Sequence, residues 1–176
     1  MPDPSDADEI QTRPANAEEL KRWIETAFAE VPYPGNDHIA TNPNHCDECR
    51  EADDFFRGGH WRELAQSGER LWFAWDGLPL LSPSAWRFFL PAYMLAGLSG
   101  GPRAHDNAYA ALVNLEPDGT GTWFEERVSG FSPAQVECLA AYCVAFAQVE
   151  PEDELWQVTA VYWRNKADQV KATIPG

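Results

Sequence analysis

Residues 81–102 read LSPSAWRFFLPAYMLAGLSGGP, and the grammar of this stretch decides the fold. Ser82 can cap the first amides of a helix, Pro83 suits the first helical position, and Gly100 and Gly101 stop it. Between these signals the apolar side chains surround the helix axis instead of forming a stripe. A helix of that kind is stable in water only when other elements cover every side, so it belongs at the centre of a packed domain. Pro91 lies inside it and removes one backbone hydrogen bond, which predicts a kink around residues 87–91 or a break into two.

The flanking segments supply the cover. Residues 16–31, NAEELKRWIETAFAEV, begin with Asn16 and Glu19 at the spacing of a capping box, and Leu20, Trp23, Ile24, Ala27, Phe28 and Val31 fall at helical spacing. A second helix is expected from near Cys46, with Phe55 and Phe56 as its apolar anchors, ended by Gly58 and Gly59. A short one follows on HWRELAQ, with Trp61 and Leu64 inward. ERLWFAWDGLPLL, residues 69–81, reads as an apolar loop on the core. HDNAYAALVNLEP predicts a short helix, and DGTGTWFEERV a turn followed by one or two helical turns. Ser132 and Pro133 repeat the start signal for a helix that places Val136, Leu139, Ala140, Cys143 and Ala147 on one face. A last helix over EDELWQVTAVYWRNKA is expected to turn Leu155, Val158, Thr159 and Tyr162 inward. The expectation is one all-α domain over residues 16–170, of about six helices with the proline-bearing one at its centre. Residues 1–15, with four acids and three prolines, are expected to form a disordered acidic leader.

Composition narrows the function. Eight tryptophans, nine phenylalanines and five tyrosines in 176 residues supply ample core material. The net charge of −15 opposes binding to nucleic acid or to an anionic membrane surface, since both are polyanions. It suits a basic protein partner, or simply a solvated acidic surface. The opening residues MPDPSDADEI lack the basic and apolar regions of a secretory signal, and no apolar run is long enough to span a bilayer, which makes the cytoplasm the expected compartment.

Taken together, HCDECREADDFFRGGHWREL, LPLLSPSAWRFFLPAYMLAGL, FSPAQVECLAAYCVAF and AVYWRN resemble a family of bacterial proteins of unknown function. That family carries a Leu-Ser-Pro-x-Ala-aromatic helix running into Phe-Leu-Pro-Ala-Tyr. The resemblance spans roughly residues 33–165 and implies one all-helical domain. It implies no catalytic residues.

The chemistry concentrates in NHCDECREADDFF, residues 44–56. Thiolate and imidazole are the ligands that zinc prefers, and His45, Cys46, Cys49 and His60 offer four of them. Adjacent residues on a helix point about 100° apart, so His45 and Cys46 chelate together only if the helix begins after them. Cys138 and Cys143 lie in an apolar helix and make no second knuckle; they read as packing residues. A Cys-x-x-Cys pair at a helix start is also the arrangement of a redox pair, but the surrounding carboxylates oppose thiolate formation and the βαβ pattern of thioredoxin-like folds is missing. Alternatively the two thiols are small apolar residues on the inner face of the helix, whose first turn favours acids. Phosphate-binding glycine loops, Gly-x-Ser-x-Gly and His-Glu-x-x-His are absent, and His105 followed by Asp106 is a weak hint of an acid–base pair. Two functions stand: a non-catalytic binding protein of immunity or inhibitor type that meets a basic partner, and a zinc-binding domain or zinc-dependent enzyme built on residues 45–60.

Overall fold

The computed structural model describes residues 13–117 and 122–173. Their secondary structure is helical, with no strand longer than a single bridge among the described residues. Six helices have ten residues or more: α1 (Ala17–Ala27), α2 (Asp47–Phe56), α5 (Pro83–Gly97), α6 (Ala104–Leu115), α8 (Pro133–Val149) and α9 (Glu154–Thr173). Three are shorter: α3 (Trp61–Leu64), α4 (Gly68–Trp72) and α7 (Thr122–Val128). The expected leader falls, for residues 1–12, outside the described residues; Pro14 is buried, and its carbonyl accepts from the Ala17 amide at 3.1 Å.

Helix α5 is the centre. Its Ser82 side chain caps the Ala85 amide, and from Ala85 to Gly97 only Arg87 escapes burial. Pro91 does not divide it, and the helix continues to Gly97. Helices α1, α3, α4, α6 and α7 all pack on α5, while α8 and α9 pair along their lengths and close the side formed by α1 and α6. Among the described residues the largest fully buried side chains are four tryptophans, five phenylalanines, two tyrosines and Arg127, so aromatic rings dominate the core.

Several local expectations change in tertiary context. Asn16 starts α1 but makes no side-chain cap. Trp23 stays 37 % exposed, whereas Leu20, Ile24 and Phe28 are buried where α1 meets α5 and α8. Residues 69–81 are not a loop: α4 is followed by a 3₁₀ segment (Trp75–Leu80), and the Tyr93 hydroxyl holds the two together by donating to the Leu71 and Ala74 carbonyls. Helix α9 buries Trp156, Thr159, Ala160, Trp163 and Ala167; of the four residues expected inward, Thr159 is buried, Leu155 and Tyr162 are half-buried against the core and Val158 is 48 % exposed, so the inner face is rotated toward the tryptophans. The Trp163 indole settles that rotation by donating to the Leu115 carbonyl on α6 at 2.8 Å.

One cation is wholly enclosed. Arg127 on α7 donates to the Pro79 and Leu81 carbonyls and lies between the rings of Trp86 and Trp123. It ties α7 to the segment that enters α5. On the other side of that segment, Thr41 N donates to Leu80 O and Ser82 N to Ile39 O, a one-bridge pairing of Ala40 with Leu81. This pairing places the chain leading into α2.

Candidate metal centre

Helix α2 is positioned from its far end. Asp53, buried on α2, accepts from the Ala40 amide at 3.1 Å and pairs with Arg57 one turn later, and Arg57 also donates to the Asn36 carbonyl at 2.8 Å. Ala52 packs against Gly77 so closely that a methyl group on the glycine would sit 3.0 Å from the Ala52 Cβ. These contacts leave the N-terminus of α2 at the surface.

The turn before it is local. Asn42 accepts the Asn44 amide on its side chain at 3.3 Å and the His45 amide on its carbonyl at 3.1 Å. Cys46 is then extended, with φ −156° and ψ 173°, and serves as N-cap: its Sγ accepts from the Cys49 amide at 3.3 Å. Because the helix begins at Asp47, His45 and Cys46 escape the divergence that helical geometry would impose, and the condition for joint chelation is met. One ligand atom each from His45, Cys46 and Cys49 lies within 4.8 Å of the others. The two sulfurs are 2.9 Å apart. Exposure is graded, with His45 at the surface, Cys46 half-buried and Cys49 buried. This group can hold a metal ion.

His60 does not join the group. Its Nδ1 accepts from the Arg62 amide at 3.2 Å as the cap of α3, and its ring stacks on Trp61 and meets the edge of Phe88. Sequence spacing suggested a fourth ligand; packing on α5 and the capping role hold it elsewhere. Cys138 and Cys143 are fully buried, and burial pushes the Cys138 thiol up to about 12 and the Cys143 thiol higher still. They are core residues, as read.

The electrostatics of the pair follow from its contacts. The Cys49 side chain holds the Cys46 thiol above its ordinary value, opposed by the Cys49 amide and reinforced by Glu48. Glu48 is held low, first by its own amide and then by Cys46. The helix start therefore does not produce a ready thiolate in the metal-free pair. His105 and Asp106 part company as well: Asp106 pairs with Arg103 at 3.0 Å, while His105 faces Glu150 at 3.8 Å.

The neighbouring carboxylates, which the sequence shows only as opposing thiolate formation, take further places in the structure. Asp53 had one signal, an arginine four residues on. Glu48, Glu51 and Asp76 had none, because they meet only when the 3₁₀ segment lies along α2; there they border a slot of about 170 Å³ beside Phe55, Phe73 and Leu80. Among the described residues no helix is long and apolar enough to cross a membrane.

A family of unknown function, DUF6714, matches residues 16–167, and the chain belongs to that family. No curated protein and no solved structure matches it.

Proposed function

We propose that the protein binds a zinc ion through His45, Cys46 and Cys49. The observation that supports this reading is the convergence of three soft donors within 4.8 Å at the open start of a helix. Bond lengths of about 2.3 Å to sulfur and about 2.0 Å to nitrogen, in tetrahedral geometry, require donor separations of about 3.5–3.8 Å. The sulfurs, 2.9 Å apart, part by about 0.9 Å to meet that geometry, within the reach of side-chain rotation. Three protein donors leave a fourth position for water or for a group from outside, the donor count of zinc sites that exchange ligands. Metal analysis of protein purified without a histidine tag tests the reading. Near-stoichiometric zinc, lost in Cys49→Ser and His45→Ala and kept in His60→Ala, is expected; metal-free protein that takes up no added zinc would overturn it.

A second reading has its own support. The net charge of −15, with Glu48, Glu51 and Asp76 in no ion pair among the described residues, suits a binding protein, of the immunity or inhibitor type, that meets a basic partner. Association with a basic protein at low salt, weakening steeply as ionic strength rises, is expected. Absence of any such association at low salt would remove this reading.

A further inference from the structure

Helix α2 and the 3₁₀ segment enclose a slot of about 170 Å³, room for one long side chain. Ala52 and Gly77 form its floor, where the missing Cβ of Gly77 lets the two elements nearly touch. Phe55 and Leu80, both half-buried, form apolar walls. Phe73 stands at the mouth with 75 % of its surface exposed, the largest such value among the exposed large apolar residues. Beside it Trp72 and Trp75 stack at 5.8 Å between ring centres and 11° between planes, which adds to the aromatic character of this edge.

The rim has the opposite character. Glu48, Glu51 and Asp76 are exposed on it, and among the described residues none forms an ion pair. Apolar walls under a ring of carboxylates match a side chain with an aliphatic stem and a cationic head. The aromatic rings select further, because a guanidinium stacks on ring faces and forks onto carboxylates, whereas an ammonium does neither as well. The chain already shows this affinity: the Arg70 guanidinium lies 5.7 Å from the Phe55 ring centre.

We infer that this slot is the anchor point for an arginine side chain of a basic protein partner. The inference rests on the basic-partner reading and gives it an address on the surface. Aromatic residues around one buried arginine are the usual make-up of an interface hot spot, with charge steering the encounter.

The test uses the full chain and a defined probe, the peptide acetyl-Gly-Arg-Gly-Arg-Gly-amide, titrated at low salt and followed by tryptophan fluorescence and calorimetry. The expected result is binding that weakens at least tenfold in Glu48→Gln/Glu51→Gln/Asp76→Asn and at least fivefold in Phe73→Ala. Phe73 is exposed enough for that variant to fold. A charge-matched control, Glu19→Gln/Glu152→Gln/Asp168→Asn, keeps most of the affinity, and a peptide with citrulline for arginine binds at least tenfold more weakly. If both triple variants lose affinity equally, the slot is not the anchor, although the acidic surface still recruits cations. If lysine replaces arginine in the peptide without loss, the selection of guanidinium is refuted. If the peptide does not bind at all at low salt, the slot and the basic-partner reading fall together.

Discussion

Gly97 on α5 lies against Ala108 on α6 so closely that an added Cβ would stand 2.9 Å from the alanine's N, Cα and Cβ atoms. The two helices touch backbone to backbone at this point, and both residues are buried. Overpacking a fixed core contact costs about 1–3 kcal/mol. Gly97→Ala is expected to lower the urea midpoint accordingly, whereas Gly101→Ala, with only the Ser99 hydroxyl 3.7 Å away, changes it little. Equal midpoints for the two variants would show that α5 and α6 can separate freely.

Asp53 links the approach segment to α2. Asp53→Ala leaves the Ala40 amide without its acceptor and Arg57 without its carboxylate. An abandoned buried donor costs about 1–3 kcal/mol. Asp53→Asn keeps an acceptor for Ala40 and is expected to lose less. Because these contacts place the start of α2, the Ala variant is also expected to weaken zinc uptake, read by competition with a chromophoric chelator.

Cys46 has two separable roles, cap and proposed ligand. Serine is a good N-cap and a poor zinc ligand, so Cys46→Ser should keep the helix start while losing the metal. Measured on metal-free protein, Cys46→Ala should cost about 0.5–2 kcal/mol relative to Ser, the usual worth of a cap. Thermal unfolding with and without added zinc separates the two effects. Zinc-dependent stabilisation that survives in the Ser variant would place the metal elsewhere.

Buried acids set the alkaline limit. Burial raises Cys138 to about 12 and also raises Cys143, Tyr142 and Tyr93. In the unfolded chain a thiol ionises near about 8.5 and a phenol near about 10. Above about pH 9 the unfolded state sheds protons that the native state keeps, so stability falls with rising pH, by up to about 1.4 kcal/mol per unit for each group. The contribution is fully present below about pH 8.5 and is lost through about pH 12. Urea midpoints between pH 7 and 11 should decline, less steeply in Cys138→Ala/Cys143→Ala; a flat profile would refute the burial of these protons.

Much of the fold was legible where the signals are short-range. Ser82-Pro83 and Ser132-Pro133 start helices as read, and Gln135 completes the second cap as a full capping box. The five residues predicted for the inner face of α8 are all buried. The reading failed where several faces are apolar. In α9 the stripe of Leu155 and Val158 competes with that of Trp156 and Trp163, and the choice between them falls to Leu115 on another helix. Residues 69–81 were misread for a related reason: helices of five and six residues are held by Tyr93 and Arg127, which lie far away in sequence.

At the site the same division holds. The sequence alone determined which soft side chains lie near one another along the chain, because softness belongs to residue type and a Cys-x-x-Cys spacing keeps its two thiols close in any fold. It also determined an all-helical core, because capping and apolar periodicity act within a few residues. Only the tertiary structure decided that His60 turns to α3 and that Glu48, Glu51 and Asp76 border one slot. The slot depends on Gly77 meeting Ala52, and the place of His60 on its packing against Trp61 and Phe88. Contacts between distant segments form only after the chain has closed loops between them, and no local pattern encodes which of the many apolar faces will meet.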